Sequence, residues 1–229
     1  MQGEDLWADI HEMNEDLIAC ERCPRLVEFR RSVVGRDKRF RGETYWARPV
    51  PGYGDINGRL LIVGLAPAAS GGNRTGRVFT GDKSSDFLVS CLYEAGITNQ
   101  PTSERRDDGL LYRDAYITAA VKCVPPDNKP QPEEIANCSV YLRSEIGFMK
   151  NLKVILVLGQ IALQAVVRLM ADPSEPRSRY RFIHGAVYEI GGVRIVCSYH
   201  PSPRNVNTGK LKRSDFIDLL KEVKKMSEA

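Results

Sequence analysis

The stretch that decides the fold is GLAPAASGGNRTGRVFTGD, residues 64–82. It begins where an apolar run of strand length, residues 60–63, ends, and the branched side chains of that run predict a buried strand. Pro67 and the glycines at positions 71, 72, 76 and 81 keep the stretch itself out of regular structure. Ser84, Ser85 and Asp86 then offer N-caps to a following helix. A polar loop this long favours a ligand site at the carboxyl end of a sheet over an ordinary connection, which takes about 2–6 residues.

The rest of the chain alternates between short apolar runs and helical patterns. Strands are predicted at residues 60–64, 115–121 and 154–158, with a hairpin at 186–190 and 193–198. Helices are predicted at residues 5–19, 86–95, 133–146, 160–170 and 215–226, and residues 30–55 are predicted to be irregular. The alternation predicts an α/β protein, a three-layer α/β/α sandwich with a central, mainly parallel four-stranded sheet. A chain of 229 residues fits one domain, residues 1–229.

Three polar loops are expected on one edge of this sheet. They comprise residues 64–82, 122–132 and 199–209, and each follows a predicted core strand. Because parallel strands end at the same edge, we expect the three loops to form a common rim.

Composition and charge describe an ordinary globular protein with unevenly placed cations. Hydrophobic residues make up 42% of the chain, charged residues make up 27%, and no apolar run approaches the length of a membrane span. The acidic start lacks the features of a signal peptide, so we expect a cytoplasmic protein without a membrane partner or a disulfide framework. The net charge is +4, and cations cluster at residues 22–41 and 204–213. These clusters are either solvated surface or contacts for nucleic-acid phosphates.

Four of the six cysteines form two pairs by their spacing. Cys20 and Cys23 make a C-x2-C followed by proline, while Cys123 follows a predicted strand and Cys138 lies in the next predicted helix. A helix that folds back beside its strand would bring the four thiolates together, as zinc or an iron–sulfur cluster requires. Spacing alone does not choose between these groups, and four buried free thiols are a third interpretation.

Four chemically different side chains fall on the predicted rim: Asp82, Phe79, Asn128 and His200. Together they suit hydrolysis of an N-glycosidic bond. The aromatic ring can stack on a flipped base, the carboxamide can pair with its edge and the imidazole can donate to a base oxygen that gains charge. The carboxylate can stabilise a cationic sugar or position water. The structural alternatives are a helix cap, a core residue, a turn residue and a structural histidine, respectively.

Several motifs occur in order: GLAP at 64–67, NRTGR at 73–77, FTGD at 79–82 and HPS at 200–202. They resemble the uracil-DNA glycosylase superfamily, most closely family 5 or type B, from about residue 17 to residue 223. The resemblance implies a base excision repair enzyme that flips uracil, and also hypoxanthine and other deaminated or adducted bases, and hydrolyses the glycosidic bond to leave an abasic site. It implies DNA as the partner, double-stranded or single-stranded, and a monomer is the default expectation.

The resemblance also assigns residues. It implies a [4Fe–4S] cluster bound by Cys20, Cys23, Cys123 and Cys138, and we expect a structural cluster because the hydrolysis needs no electron. It implies Asp82, Asn128 and His200 as catalytic residues, with Phe79 stacking on the base. The other predicted substrate-binding residues are Gly64, Ala66, Pro67, Ser70, Asn73, Arg74, Ser202, Arg204 as a phosphate ligand and Val206 as a wedge.

The chain departs from related sequences at three positions. Ser70 stands where family members commonly have histidine. Leu65 stands where other branches have a water-activating polar residue, and Ala119 stands where family 4 has a base-reading asparagine. Family 5 shares the last two losses, which implies loose discrimination among bases. No lysine is placed on the rim as a Schiff-base nucleophile, so we expect a monofunctional enzyme; the alternative is a non-catalytic nucleic-acid-binding iron–sulfur protein on the same fold.

Overall fold

The computed structural model describes residues 6–229, and its centre is one sheet with the strand order β1-β3-β2-β4-β6-β5. The strands are β1 Tyr53–Gly54, β2 Leu60–Gly64, β3 Ala115–Ala119, β4 Val154–Leu158, β5 Val187–Ile190 and β6 Val193–Ser198. The four inner strands are parallel, and the two outer strands are antiparallel to their neighbours. The α/β class is therefore confirmed, although the sheet has six strands because short edge strands flank the predicted four.

The inner strands are aligned so that their carboxyl ends meet. Leu60 of β2 pairs with Ala115 of β3 on one side and with Val154 of β4 on the other. All residues of these three strands are buried, as parallel strands covered on both faces require. The loops that follow β2, β3 and β6 consequently leave the same edge of the sheet.

Helices cover both faces of the sheet. Within residues 6–229 they are α1 Ile10–Ala19, α2 Pro24–Ser32, α3 Gly72–Thr75, α4 Lys83–Glu94, α5 Pro132–Phe148, α6 Gln160–Met170, α7 Pro203–Asn207 and α8 Arg213–Glu228. Ile62 packs in the core under α4 and α8, whereas its neighbour Val63 packs in the core under α5 and α6, because successive strand residues face opposite ways. None of these helices combines the length and apolarity that a membrane crossing needs. That residues 1–229 form one domain stays a prediction.

Several helix boundaries differ from the prediction. α1 begins at Ile10, not at residue 5, because Asp9 caps its first turn, and residue 5 lies outside the described residues. α4 begins at Lys83, three residues earlier than predicted, because Asp82 is its N-cap. α2 and α7 were not predicted as helices. Only residues 30–32 of α2 overlap the segment predicted to be irregular, whereas α7 lies within the polar loop predicted at 199–209. Each has proline in its first turn, where the fixed φ of proline suits a helix.

Candidate active site

The three rim loops enclose a cavity of about 370 Å³. Its walls are Leu65, Ala66, Pro67, Ala68, Phe79, Asp82, Lys83, Ser84, Asn128, His200, Ser202 and Pro203. Seven of the predicted site residues therefore meet at one place: Asp82, Asn128, His200, Phe79, Ala66, Pro67 and Ser202. The volume lies within the roughly 300–1,000 Å³ of small-molecule sites.

Asp82 is both a helix cap and part of the cavity wall. Its Oδ1 accepts hydrogen bonds from the backbone N–H groups of Ser84 at 2.9 Å and Ser85 at 3.0 Å, and its own N–H donates to Ser85 Oγ. Its other side lies against Gly71, where an added Cβ would stand 2.9 Å from the carboxyl carbon. Burial raises the pKa of Asp82, an effect larger than that of the two N–H donors, which lower it.

Phe79 is held in a conformation that non-glycine residues avoid. Its φ is +47°, in the left-handed region. Ser103 Oγ donates to the Phe79 carbonyl at 2.9 Å, and the ring lies over Gly64, where a Cβ would stand 2.6 Å from Cζ. The centre of the ring is 6.0 Å from that of His200. Gly64 therefore supports the Phe79 ring from behind, at the point where β2 ends.

A buried arginine stabilises residues 77–81 of the loop 64–82, which we call the glycine loop. Arg77, only 2% exposed, donates to Thr80 Oγ1 at 2.8 Å, to Ser103 Oγ at 3.1 Å and to Asp108 Oδ2 at 2.7 Å. The N–H of Gly81 donates to the carbonyl of Ser103 at 2.8 Å. Residues 99–111 thus fix the conformation of the glycine loop.

His200 presents a neutral imidazole to the cavity. Burial lowers its pKa to about 4, so at neutral pH one ring nitrogen carries a hydrogen and the other accepts. Its carbonyl accepts from Asn205 Nδ2 and from the N–H of Ser202, each at 2.8 Å, which fixes the turn. His184 has a structural contact instead, since its Nδ1 accepts from the N–H of Tyr199 at 3.2 Å.

Asn128 lies in a strained turn that lines the cavity. Asp127 and Asn128 have φ values of +52° and +55°, two consecutive left-handed residues. The N–H of Asn128 donates to the carbonyl of Pro125 at 3.3 Å, and its exposed side chain lines the cavity. Strain of this kind persists only where the surrounding structure imposes it, and it concentrates at functional sites.

Three predicted substrate-binding residues do not reach the cavity wall. Ser70 Oγ donates to Asp37 Oδ2 at 2.8 Å, and Arg74 Nη1 pairs with Glu43 at 2.8 Å. Asn73 is fully buried, and its Nδ2 donates at 3.0 Å to a backbone carbonyl of α2. The side chains of Ser70, Asn73 and Arg74 therefore lie outside the cavity wall, where they join the glycine loop to residues 30–43.

Two further predicted residues lie beside the cavity. Arg204 and Val206 are on α7, directly after the wall residues Ser202 and Pro203, and Arg204 is exposed while Val206 is half-buried. The roles predicted for them, phosphate ligand and wedge, remain predictions.

Lys83 is a lysine of the cavity wall that was not predicted there. It is the exposed first residue of α4 and lines both this cavity and a neighbouring groove. Sequence reasoning missed Lys83 and Ser84 because it began the helix at residue 86. The available signal was Asp82 followed three residues later by Ser85, a pair that can cap reciprocally.

The family model for the uracil DNA glycosylase superfamily matches residues 51–224. The chain belongs to this superfamily. A type-5 uracil-DNA glycosylase of Thermus thermophilus is 49% identical over 214 residues, covering 93% of this chain and 96% of that protein. A type-5 uracil-DNA glycosylase of Pyrobaculum aerophilum is 47% identical over 205 residues, covering 90% and 88%. A type-4 uracil-DNA glycosylase of the same organism is 31% identical over 199 residues, covering 85% and 83%.

In this member of the uracil-DNA glycosylase superfamily, the four paired cysteines line one small cavity. Cys20 follows α1, Cys23 caps α2, Cys123 lies beyond β3 and Cys138 is in α5. Burial raises the pKa of Cys123 to about 11 and that of Cys138 to about 12, so thiolates here require a nearby positive charge. Within residues 6–229, no three or more His, Cys, Asp or Glu side chains are grouped as ligands of a single metal ion.

A buried ion pair fixes the second pair of cysteines. Lys122 Nζ lies 2.7 Å from Glu145 Oε2, and both side chains are almost completely buried. Thr118 Oγ1 donates to the same carboxylate at 2.9 Å. Buried charges are tolerated only when they are paired and hydrogen-bonded. Because Lys122 precedes Cys123, and Glu145 lies two turns beyond Cys138 on α5, this contact holds the two cysteines at a set separation.

The surroundings of the four sulfurs suit an anionic metal–sulfur group. Arg30 lines the cavity, and its Nη1 donates to Cys123 Sγ and to the carbonyl of Cys20, each at 3.2 Å. Its Nε is buried and has no hydrogen-bond partner in the described part of the chain. Asn137 Nδ2 approaches Cys23 Sγ at 3.6 Å. Four sulfur ligands, a cation and an unused N–H donor together fit an iron–sulfur cluster, whose sulfurs carry negative charge and accept hydrogen bonds.

Proposed function

We propose that this protein is a DNA glycosylase that removes uracil and other deaminated bases, hypoxanthine among them, and leaves an abasic site. The observation that carries the proposal is that a carboxylate, a neutral imidazole and an aromatic ring line one rim cavity of about 370 Å³. The names of the relatives at 47–49% identity support uracil as the base.

Base binding follows from the walls of the cavity. A flipped base stacks on the Phe79 ring, and the Asn128 carboxamide pairs with its amide edge. The wall also includes Leu65 and Ala66, which offer no side-chain hydrogen bond that would reject a second base. A purine such as hypoxanthine therefore enters as well as uracil does.

The chemistry uses the two titratable groups in different states. As the bond from C1′ to the base nitrogen breaks, negative charge grows on a base oxygen, and the neutral His200 N–H donates to it. Positive charge grows on the sugar, and the Asp82 carboxylate stabilises it and orients the water that adds to C1′. The products are the free base and the abasic sugar.

The proposed cofactor is a [4Fe–4S] cluster held by Cys20, Cys23, Cys123 and Cys138. When bound, it supplies a cross-link between the N-terminal helices and the strand and helix that carry the second pair of cysteines. Purified protein should contain iron and acid-labile sulfide and absorb broadly in the visible range. Colourless protein with stoichiometric zinc would contradict the assignment.

The activity is tested on a labelled duplex with a single uracil, followed by alkali, which cleaves the strand at an abasic site. Single-stranded DNA and a hypoxanthine duplex form a parallel series. Strand cleavage at the damaged base is expected. DNA binding that depends on salt, without release of any base, would favour the non-catalytic alternative.

Two variants separate catalysis by Asp82 from its capping role. Asp82→Asn keeps the cap, since asparagine caps a helix as well as aspartate does, but removes the charge. We expect a loss of about 10²–10³-fold in the single-turnover rate, as for other removed electrostatic stabilisers. Ser85→Ala breaks the reciprocal cap, should cost about 1 kcal/mol of stability and should leave the rate within a few-fold. Equal losses of rate in both variants would reduce Asp82 to a structural residue.

A further inference from the structure

We propose that Arg30 tunes the metal–sulfur group bound by the four cysteines, by donating hydrogen bonds to its sulfur atoms. The inference rests on the [4Fe–4S] cluster proposed above and concerns a residue outside the active-site cavity.

Within residues 6–229, the charge of Arg30 has one long contact with a carboxylate. The residue lies on α2, and only 3% of it is exposed. The nearest acid is Glu21, whose Oε1 is 3.8 Å away and which has a shorter contact with the exposed Arg31. Burying a cation whose ion pair is long, and whose partner is exposed, costs several kcal/mol unless other anions compensate it. The thiolates of the four-cysteine site, beginning with Cys123 at 3.2 Å, are the anions that compensate it.

The guanidinium group has a buried N–H donor, at Nε, that is available to the bound group. Nη1 is used by Cys123 Sγ and by the carbonyl of Cys20. Nε is buried without a partner in residues 6–229, and the side chain forms part of the wall of the cysteine cavity. A sulfur atom of the bound group would accept the hydrogen bond that Nε–H does not otherwise make.

Arg30 is also held in place from the opposite side. Asn73 Nδ2 donates to its carbonyl at 3.0 Å, and Asn73 is itself fully buried in the glycine loop. This contact fixes the backbone of Arg30 against that loop, while the hydrogen bonds of Nη1 to Cys123 Sγ and to the Cys20 carbonyl fix the guanidinium group.

The physical consequence concerns the reduction potential. Reduction adds negative charge to the group, and both a neighbouring cation and hydrogen bonds to its sulfurs stabilise the more negative form. Arg30 therefore raises the potential and slows the loss of iron.

The test compares Arg30→Gln and Arg30→Lys with Arg25→Gln in the intact iron-loaded protein. Arg25 is a matched control because it lies on the same helix and loses the same charge, but its guanidinium pairs with Glu134 at 2.6 Å and, within residues 6–229, donates no hydrogen bond to a sulfur. The readouts are the potential from an electron paramagnetic resonance titration, the iron–sulfur stretching frequencies in the Raman spectrum, and the rate of iron transfer to a chelator.

We expect Arg30→Gln to shift the potential to more negative values, to raise the stretching frequencies and to release iron several-fold faster, with Arg30→Lys intermediate and Arg25→Gln like the wild type. Folded Arg30→Gln that retains no iron would support the same contact, and Arg30→Lys would then carry the spectroscopic comparison. An unchanged potential and spectrum in loaded Arg30→Gln would overturn this proposal alone. Wild-type protein without iron would overturn the proposed cluster as well.

Discussion

Replacing Gly71 with alanine should inactivate the enzyme by displacing the carboxylate of Asp82. The new Cβ would overlap Asp82 Oδ2, its nearest neighbour, and would lie 2.9 Å from the carboxyl carbon and 3.2 Å from the carbonyl oxygen of Thr80. Carbon atoms pack at about 3.5–4.0 Å, so the carboxylate must retreat by roughly 1 Å. Gly71 lies outside the wall of the cavity, so the substitution changes the position of the carboxylate without removing it.

The size of the effect follows from this displacement. A misplacement of about 1 Å in a catalytic group costs on the order of 10²-fold in rate, or about 2.7 kcal/mol in the activation free energy. Overpacking should also lower the free energy of unfolding by about 1–3 kcal/mol. Gly147→Ala is the matched control, because nothing lies within 4 Å of a Cβ at that position in α5. Alanine there should be neutral or stabilising by up to about 1 kcal/mol.

The assay is single-turnover release of uracil from a labelled duplex, at a temperature well below the unfolding midpoint of each variant. Affinity for the same duplex carrying a 2′-fluorinated uracil nucleotide, which resists hydrolysis, reports binding separately. We expect Gly71→Ala to bind this analogue within a few-fold of the wild type while its rate falls about 10²-fold. A wild-type rate in folded Gly71→Ala would refute the reasoning that the position of Asp82 limits catalysis.

Three further outcomes follow from the same site. The pKa of Asp82 is raised and that of His200 lies at about 4. We therefore expect kcat to fall at acid pH as the Asp82 carboxylate is protonated. A step in the pH–rate profile near about 6.5, the ordinary pKa of histidine, would contradict a neutral His200. Gly64→Ala would place a Cβ against the Phe79 ring. It should lower kcat/KM for uracil by about 5–150-fold, because base stacking contributes about 1–3 kcal/mol. Unchanged kcat/KM would mean that this ring does not hold the base. Ser103→Ala removes the donor to the Phe79 carbonyl and should cost about 1–3 kcal/mol in denaturant unfolding, with a loss in kcat/KM, whereas full activity would show that Phe79 keeps its conformation unaided.

Much of the cavity was predictable because its residues follow strand ends. Phe79, Asp82, Asn128 and His200 lie on loops that leave the same edge of a parallel sheet, and all four reach the cavity. Lys83 was missed because the start of α4 depends on the capping contacts of Asp82, which a local apolar pattern does not reveal.

Other residues of the same loop turned away from the cavity for reasons that lie elsewhere in the chain. Ser70 bonds to Asp37, 33 positions earlier, and Arg74 pairs with Glu43, 31 positions earlier. No pattern within residues 64–82 contains these partners. The direction of a side chain in an irregular loop is decided by contacts with distant segments, which is why motif matching could not tell the wall of the cavity from its supports.

The sequence by itself determined the order of the inner strands and of the five longest helices, the edge of the sheet that carries the cavity, and the two cysteine pairs. These depend on local periodicity, on strand direction and on residue type, all of which can be read within short windows. Only the tertiary structure decided which polar residues face the cavity and that Ser103 supports Phe79. The position of the buried Arg30 beside the cysteine sulfurs was likewise decided only by the tertiary structure. Each of these depends on contacts between segments that lie far apart in the chain, and such contacts exist only when the whole core has packed.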